Sequence, residues 1–250
     1  MAIENQQNFN TSTSPNLKAI YFSRADLAGA NLSNRNFNHA NLSGIDLKTA
    51  QLKKASLIWT DLNGAILSGA NLECAYLHYA SLLWADLAQA ILTEADFSCA
   101  QLSQANLEKV SCVKGKLMGV ILEGSNLIAG NFAASDFYNA NLNNANCTDT
   151  NFSNANLELT TWDNAILKGA NLQKANLSQS SLLGANLEGA IFNNTQLFDT
   201  DFRQANLKNT SFKAVDFSKC KVRGAIFTNA QGLTTSQKQW LKKNGALNVA

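Results

Sequence analysis

The residues that could carry out catalysis are few in this chain of 250 residues. His39 and His78 are its only histidines, and histidine is the side chain that exchanges protons most readily near neutral pH. The sequence contains no phosphate-binding G-x-x-x-x-G-K-[S/T] loop, no H-E-x-x-H zinc motif and no G-x-S-x-G nucleophile motif. We therefore predict that the protein is not an enzyme and that it needs neither a cofactor nor a metal.

The five cysteines lie at irregular spacings, at positions 74, 99, 112, 147 and 220. An odd number of cysteines without the spacing of a metal site indicates free thiols in a reducing compartment rather than a disulfide framework. The N-terminal sequence lacks the basic start and apolar run of a secretion signal, and no stretch of about 18 apolar residues occurs. We expect a cytoplasmic protein that does not enter a membrane.

The dominant pattern is a five-residue repeat, a period that neither an α-helix nor a β-strand has. Every position whose number ends in 2 or 7 is apolar from Leu17 to Phe227, which makes 43 consecutive pentads without an insertion. Twenty-eight of these central residues are Leu and eleven are Phe. The residue two positions before the centre is Ala in 24 pentads, and the residue between them is most often Asn or Asp. Such regularity predicts one repeated structural unit.

The repeat predicts a chain that coils around its own core. Residues two apart point to the same side of an extended backbone, so the small and the large apolar residue of each pentad face inward together. Asn and Asp favour turns because their short side chains form hydrogen bonds with nearby backbone groups. Arg35 occupies one of the small inward positions. Because a buried lone charge is costly, we expect its side chain to reach back to solvent or to distort the coil.

The motif A-[N/D]-[L/F]-x-x, as in "ADLAGANLS" and "ANLQKANLS", closely resembles the pentapeptide-repeat family, including its cyanobacterial members. The resemblance covers residues 15–229, which are 215 of the 250 residues. It implies an all-β fold, a right-handed quadrilateral β-helix in which four pentads form one square coil and residues 20 apart stack in columns. The chain would then have about 11 coils and a length of roughly 50 Å, since paired strands lie about 4.8 Å apart.

The pattern divides the chain into three segments. Residues 1–14 are polar and are expected to form a flexible N-terminal tail, and residues 15–229 form the β-helix. Residues 230–250 break the repeat and are expected to form a C-terminal helical cap and tail. Thr234 and Gln237 have the spacing of a capping box at the start of this helix. The helix would cover the open end of the last coil, as solenoids require, and a role in dimerisation is the alternative.

Stacking by 20 residues brings aromatic side chains together on one face. One column contains His39, Trp59, Tyr79 and Cys99, and its neighbour contains Ile58, His78, Met118, Tyr138 and Phe198. The candidate partner-binding residues are Trp59, Tyr76, His78, Tyr79, Leu83 and Trp84. A contiguous exposed apolar cluster usually marks a contact surface, and Tyr and Trp are the residue types that anchor interfaces. The alternative is a ladder of rings that only stabilises the wall.

Charged residues are unevenly distributed although the net charge is only +2. Residues 55–108 contain six acidic and no basic residues, whereas the segment from Arg203 to the end contains nine basic residues and one acidic residue. Lys219, Lys221 and Arg223 form a candidate basic site that would attract an acidic partner. Binding of nucleic acid there would depend on salt, but the basic segment has few interleaved aromatic residues, so we do not expect nucleic acid as the partner.

These features favour a non-enzymatic scaffold or regulator that presents a rigid β-helix wall to a partner protein or to a second copy of itself. The resemblance to cyanobacterial family members that modulate developmental regulators implies a regulatory partner of that kind. The same family includes DNA mimics that bind gyrase, so a DNA-mimic modulator of a topoisomerase is the alternative function. Asp26, Asp46 and Asp86 would share an acidic column for that role, but Ile66 interrupts the column and asparagines continue it.

Overall fold

The computed structural model describes residues 25–250. The proposed tail, residues 1–14, and the first two pentads therefore lie outside the described residues. From Ala25 to Asn229 the chain forms 41 consecutive pentads with one recurring local structure. A two-residue turn follows the central apolar residue in every pentad, and a bridge-forming residue precedes it in all of them except the pentad of Asp216.

A hydrogen bond within each pentad explains the frequent Asn or Asp before the centre. In the first described pentad, Oδ1 of Asp26 accepts the backbone N–H of Ala28 at 3.0 Å, and the N–H of Ala30 donates to the carbonyl of Leu27 at 3.0 Å. Gly29, the second turn residue, has a φ of 68°, and a positive φ at this position of a turn closed in this way defines type II. Every Asn or Asp at the equivalent position, from Asp26 to Asp216, accepts the same backbone bond.

Successive coils are joined by parallel bridges between residues 20 apart, which run from Asp26–Asp46 to Ser211–Gln231. Each bridge involves single residues rather than an extended strand, because the chain turns a corner every five residues. Four pentads complete one coil, and this gives the four-sided β-helix that the repeat predicts. We number its walls by their first described centres: wall 1 begins at Leu27, wall 2 at Leu32, wall 3 at Phe37 and wall 4 at Leu42. Equivalent centres follow every 20 residues along each wall.

The central residues fill the axis of the β-helix. From Leu27 to Phe227, each of them is at most 3% exposed. Trp162 is fully buried, and its Nε1 donates to Oγ1 of Thr160 at 2.7 Å, which satisfies the one polar atom of the indole. Space for such large rings comes from small inward neighbours. A Cβ on Gly130 would lie 2.7 Å from Cε2 of Phe132, so glycine is required beside this ring.

Arg35 leaves its coil undistorted. The side chain is half-buried rather than enclosed. Its backbone keeps both regular hydrogen bonds, from the N–H of Arg35 to the carbonyl of Leu32 and from the N–H of Ser56 to the carbonyl of Arg35. Of the two expected outcomes, the regular backbone excludes distortion of the coil, and the half-buried side chain agrees with a path towards solvent.

The C-terminal end of the β-helix carries helix α1, Thr235–Lys243. Its capping box is present as predicted: Oγ1 of Thr234 accepts the N–H of Gln237, and the Gln237 side chain accepts the N–H of Thr234 at 2.8 Å. Leu241, a residue of α1, is fully buried. After α1 the chain returns to the ladder, since Leu247 bridges Ile226 in parallel. The sequence did not predict this last pairing, because residues 244–250 lack the pentad pattern. Within residues 25–250, no helix combines the length and the apolar character that crossing a bilayer requires.

Candidate protein-binding surface

The six predicted partner-binding residues lie together within about one and a half coils. We call them the aromatic patch. Trp59, Tyr76, His78 and Tyr79 belong to wall 3, and Leu83 and Trp84 follow on wall 4. The turn at His78–Tyr79 joins walls 3 and 4, and the turn at Leu83–Trp84 ends wall 4, so the patch extends from wall 3 across wall 4.

The aromatic rings of the patch are open to solvent. Trp84 is 65% exposed and Trp59 is 55% exposed, while His78 and Leu83 are half-buried between the more exposed side chains. The exposed Trp, Tyr and Phe residues of the described chain are Trp59, Tyr76, Tyr79, Trp84, Tyr138 and Phe198. All of them except Trp84 lie on wall 3. The exposed aromatic surface of residues 25–250 is thus confined to wall 3 and the turn that ends wall 4 at Trp84.

Stacking orders the centre of the patch. The rings of Trp59 and Tyr79 are parallel within 7°, with centroids 4.4 Å apart, and the imidazole of His78 meets Tyr79 edge-on at 6.1 Å. Nδ1 of His78 is buried and has no hydrogen-bond partner among the described residues, so the imidazole is held by packing. The predicted ladder of rings therefore exists at this step. The rings remain about half exposed, so stacking fixes their positions without burying them.

Three of the aromatic residues occupy backbone positions that disfavour them. Trp59, Tyr79 and Trp84 have φ values of 58°, 60° and 56°, in the left-handed region. Many equivalent turn positions carry Gly or Asn, which tolerate this conformation, whereas a bulky side chain costs on the order of 1 kcal/mol there. The local backbone conformation therefore does not favour large rings at these positions. Their presence is consistent with a role in binding rather than in stabilising the fold.

Asparagines of the preceding coil hold two of the three pentads that carry the patch. These two have Ser56 and Ser81 where most others have Asn or Asp, so they lack the internal acceptor. Oδ1 of Asn63 replaces it and accepts the N–H of Leu83 at 2.8 Å and the hydroxyl of Ser81 at 2.7 Å. Asn38 binds the N–H of Ile58 and the hydroxyl of Ser56 in the same way. Sequence reasoning missed this support, although the 18- and 20-residue spacings between these positions are visible in the chain.

Comparison with known proteins identifies the repeat. The model of the family described as Pentapeptide repeats matches eight copies, over residues 16–53, 31–69, 70–108, 121–158, 165–204 and 190–229. The chain is a pentapeptide-repeat protein. No curated protein sequence matches it.

Solved structures of other pentapeptide-repeat proteins share this fold. HetL from the cyanobacterium Nostoc sp. strain PCC 7120, a protein involved in heterocyst differentiation regulation, is 29% identical with a TM-score of 0.62, and the match covers 84% of this chain and 88% of HetL. QnrB1, a plasmid-mediated fluoroquinolone resistance protein, is 16% identical with a TM-score of 0.39, over 90% of this chain and 97% of QnrB1. The family model and the match to HetL identify the fold as a right-handed quadrilateral β-helix, here with a short helical cap, as the resemblance of the sequence implies.

The candidate basic site of this pentapeptide-repeat protein is exposed but partly neutralised. Lys219, Lys221 and Arg223 all lie at the surface near the corner of walls 3 and 4. Nζ of Lys221 lies 3.5 Å from a carboxylate oxygen of Asp199. Arg223 lines a cleft of about 350 Å³ together with Arg203.

The second arginine of that cleft is itself paired. The guanidinium of Arg203 donates to Oδ2 of Asp201 at 2.6 Å. Burial opposes ionisation of Asp201, but these hydrogen bonds and the charge of Arg203 outweigh it and lower the pKa of the carboxyl. The three residues therefore share their surroundings with Asp199 and Asp201 and do not form a purely cationic surface.

The acidic column has a structural use in this pentapeptide-repeat protein. Asp26, Asp46 and Asp86 each accept the backbone N–H two residues further along the chain, at 2.9–3.1 Å. Ile66 interrupts the column as expected. These carboxylates thus close turns, which is the role that every other Asn and Asp before a centre also plays.

The cysteines do not form a site in the described chain. Cys112, Cys147 and Cys220 are buried, Cys74 is half-buried and Cys99 is exposed. Burial raises the pKa of the Cys112 thiol to about 12 and also raises that of Cys147, so both thiols stay protonated and act as small apolar side chains. Among residues 25–250, no three His, Cys, Asp or Glu side chains are grouped so that they could hold a metal ion.

Proposed function

We propose that this pentapeptide-repeat protein is a non-enzymatic scaffold or regulator that binds a protein partner through the aromatic patch. The observation that carries the proposal is the concentration of exposed aromatic rings on walls 3 and 4, with Trp59, His78 and Tyr79 ordered by ring contacts. Rings that are fixed before binding lose little conformational freedom when they are covered, so they suit the centre of an interface.

The shape of the molecule supports binding by docking on a rigid wall. Each coil is tied to its neighbours by regular backbone hydrogen bonds, so the patch is presented on a stiff surface. A partner that covered Trp59 and Trp84 would be held against this wall, and its own active or assembly surface could be blocked there. HetL is described as involved in the regulation of differentiation, and a regulatory role for this chain is consistent with that similarity.

The alternative functions have weaker support. The acidic column that a DNA mimic would use is short, and its carboxylates close turns. The basic site is partly neutralised by Asp199 and Asp201, which argues against binding of nucleic acid. We place the function in the cytoplasm, a prediction that rests on the free cysteines.

The test compares the wild-type protein with Trp59→Ser/Tyr79→Ser/Trp84→Ser. The control is Tyr138→Ser, which removes an exposed aromatic ring from the same wall, outside the patch. Both variants must first show the circular dichroism and thermal melting of a folded β-helix. Sedimentation velocity then detects self-association, and affinity capture from a native lysate of the source organism, followed by quantitative mass spectrometry, detects other partners.

We expect wild type and Tyr138→Ser to retain the same partner and the triple variant to lose it. Purified partner should then bind wild type at least 10-fold more tightly than the triple variant. If all three proteins retain the same partners with equal affinity, the aromatic patch is not the binding surface and the proposal is wrong.

A further inference from the structure

The ladder of wall 3 opens near its C-terminal end. Gln196 and Asp216 are 20 residues apart but do not bridge, while the neighbouring pairs on walls 2 and 4 do. Three regular backbone hydrogen bonds are missing at this point of the described chain. They are the bonds from the N–H groups of Leu197 and Asp199 to the next coil, and the bond from the N–H of Asp216 to the preceding coil. Elsewhere on wall 3, equivalent groups from Phe37 to Gln179 are paired.

Larger inward residues coincide with the opening. Val215 and Cys220 lie on either side of Phe217, at positions where most pentads have alanine. Each is 8% exposed, whereas most equivalent alanines are fully buried. The turn changes as well, since Lys219 lacks the left-handed φ of the equivalent turn residues.

The chain itself does not close the gap, since no other described backbone group accepts a hydrogen bond from the N–H of Leu197, Asp199 or Asp216. Nε2 of Gln237 donates to the carbonyl of Val215 at 2.7 Å, but this bond lies beside the gap and leaves the missing pairs unmade. The result is a surface cleft of about 500 Å³, lined in part by Gln196, Phe198 and Ser218.

We propose that this cleft binds an extended peptide segment of a partner protein. Backbone N–H groups that lack a ladder partner are complementary to the carbonyl groups of another peptide, which is the basis of recognition by strand addition. The ring of Phe198, 59% exposed at the rim, would contact an apolar side chain of the segment. Asp216 and Lys219 both line the cleft, so the site favours backbone pairing over a strongly charged ligand.

This second site is independent of the aromatic patch. Phe198 lies on the same wall but three coils beyond Tyr138, the nearest other exposed aromatic residue on that wall. A partner could use both sites, and each can be removed without the other. Failure of one proposal therefore leaves the other standing.

The test uses a variant designed to close the cleft, Val215→Ala/Lys219→Gly/Cys220→Ala, which restores the common residues of the repeat. Eight-residue random peptides displayed on phage are selected on the immobilised full-length wild-type protein and counter-selected on the closed variant. Synthetic versions of the enriched peptides are then titrated against wild type, the closed variant, Phe198→Ser and the control Tyr138→Ser. Amide chemical shifts locate the bound peptide, and circular dichroism confirms that each variant is folded.

We expect binding to wild type and Tyr138→Ser, and binding at least 10-fold weaker to the closed variant and to Phe198→Ser. The amide resonances of Leu197, Asp199 and Asp216 should shift on binding. The proposal is wrong if no peptide is enriched on wild type over the closed variant, or if enriched peptides shift the aromatic patch instead. It is also wrong if the cleft mediates association between copies of the chain, seen as a wild-type oligomer that the closed variant loses. Should the closed variant not fold, Phe198→Ser and the amide shifts decide the outcome.

Discussion

The indole ring of Trp59 lies flat against the ring of Tyr79, one coil further along wall 3, with 4.4 Å between centroids and 7° between planes. The stack forms because residues 20 apart occupy equivalent positions in successive coils. It joins two turns that otherwise contact each other only through backbone hydrogen bonds. The surface proposed for binding is therefore one ordered unit rather than a set of independent side chains.

The stack should contribute measurably to stability. In a double-mutant cycle of Trp59→Ala and Tyr79→Ala, we expect a coupling free energy of about 0.5–1.5 kcal/mol, the range found for aromatic pairs. Urea denaturation of the four proteins provides the measurement. The same cycle with Trp59→Ala and Tyr138→Ala, whose rings are four coils apart, should give no coupling. Equal coupling in the two cycles would show that the stacked geometry contributes nothing.

Trp84 should reduce stability while it supports binding. Its φ of 56° suits glycine, and its side chain is largely exposed. We expect Trp84→Gly to raise the free energy of unfolding, by up to about 1 kcal/mol, because the left-handed strain is removed. Affinity for the partner should fall in the same variant. Chemical denaturation and partner titration measure the two effects, and a clear loss of stability would contradict this prediction.

Gly130 should be indispensable beside Phe132. A methyl group at this position would lie 2.7 Å from the ring, and neighbouring coils leave no room for the ring to move. We expect Gly130→Ala to lower the free energy of unfolding by about 1–3 kcal/mol, as overpacking does. Combining it with Phe132→Leu should recover part of this loss relative to the sum of the single effects. Purely additive losses in the double variant would show that the predicted clash does not occur.

Buried thiols should make the protein less stable at high pH. Burial raises the pKa of Cys112 from 9.0 to about 12, so between these values the unfolded chain loses this proton while the folded chain keeps it. The free energy of unfolding should therefore fall as pH rises from 9 to 12, by up to about 1.4 kcal/mol per pH unit for this thiol. Below pH 9 the thiol contributes no pH dependence, because it is protonated in both states. Denaturation of wild type and Cys112→Ala across this range measures the difference in slope, with the exposed-site variant Cys99→Ala as control. Parallel curves for wild type and Cys112→Ala would contradict the prediction.

The capping box of α1 should be required for a closed end. Removing the Thr234 hydroxyl leaves the N–H of Gln237 without its acceptor, so Thr234→Ala should cost about 1 kcal/mol. Hydrogen exchange should show faster opening of α1 and of the Ile226–Leu247 pairing, while the middle coils keep their protection. Thr235→Ala, which alters the next residue but not the cap, is the matched control. Unchanged exchange in α1 would mean that the helix is held by Leu241 alone.

The fold could be predicted because one rule acts in every pentad. Leu27 and each later centre had to face inward, and Asp26 and its equivalents had to close turns, so the periodicity predicted a coiled chain. The resemblance to the pentapeptide-repeat family supplied the four pentads per coil. The position of the aromatic patch followed from the same 20-residue stacking, which put Trp59 beneath Tyr79. The spacing could not reveal that the rings stack within 7°, since this depends on side-chain rotamers.

Features that break the rule were beyond prediction from the pattern. The opening beside Asp216 lies where Val215, Phe217 and Cys220 follow one another at inward positions, and each of these residue types occurs elsewhere in the repeat without an opening. The return of Leu247 to the ladder depends on how α1 packs, and no periodicity marks it. The neutralisation of the basic site by Asp199 and Asp201 required knowledge of which side chains reach one another.

The bonds that Asn38 and Asn63 make with the next coil have a consequence for folding. A chain of nearly identical pentads could form its ladder one whole coil out of register and still bury a leucine at every centre. In a ladder slipped by one coil, Gln101 would take the place of Ser81 and Tyr76 that of Ser56, so the two serine hydroxyls reach these asparagines only in the native register. These side chains therefore mark which coil belongs next to which. In an otherwise self-similar sequence they favour the native register over slipped ones.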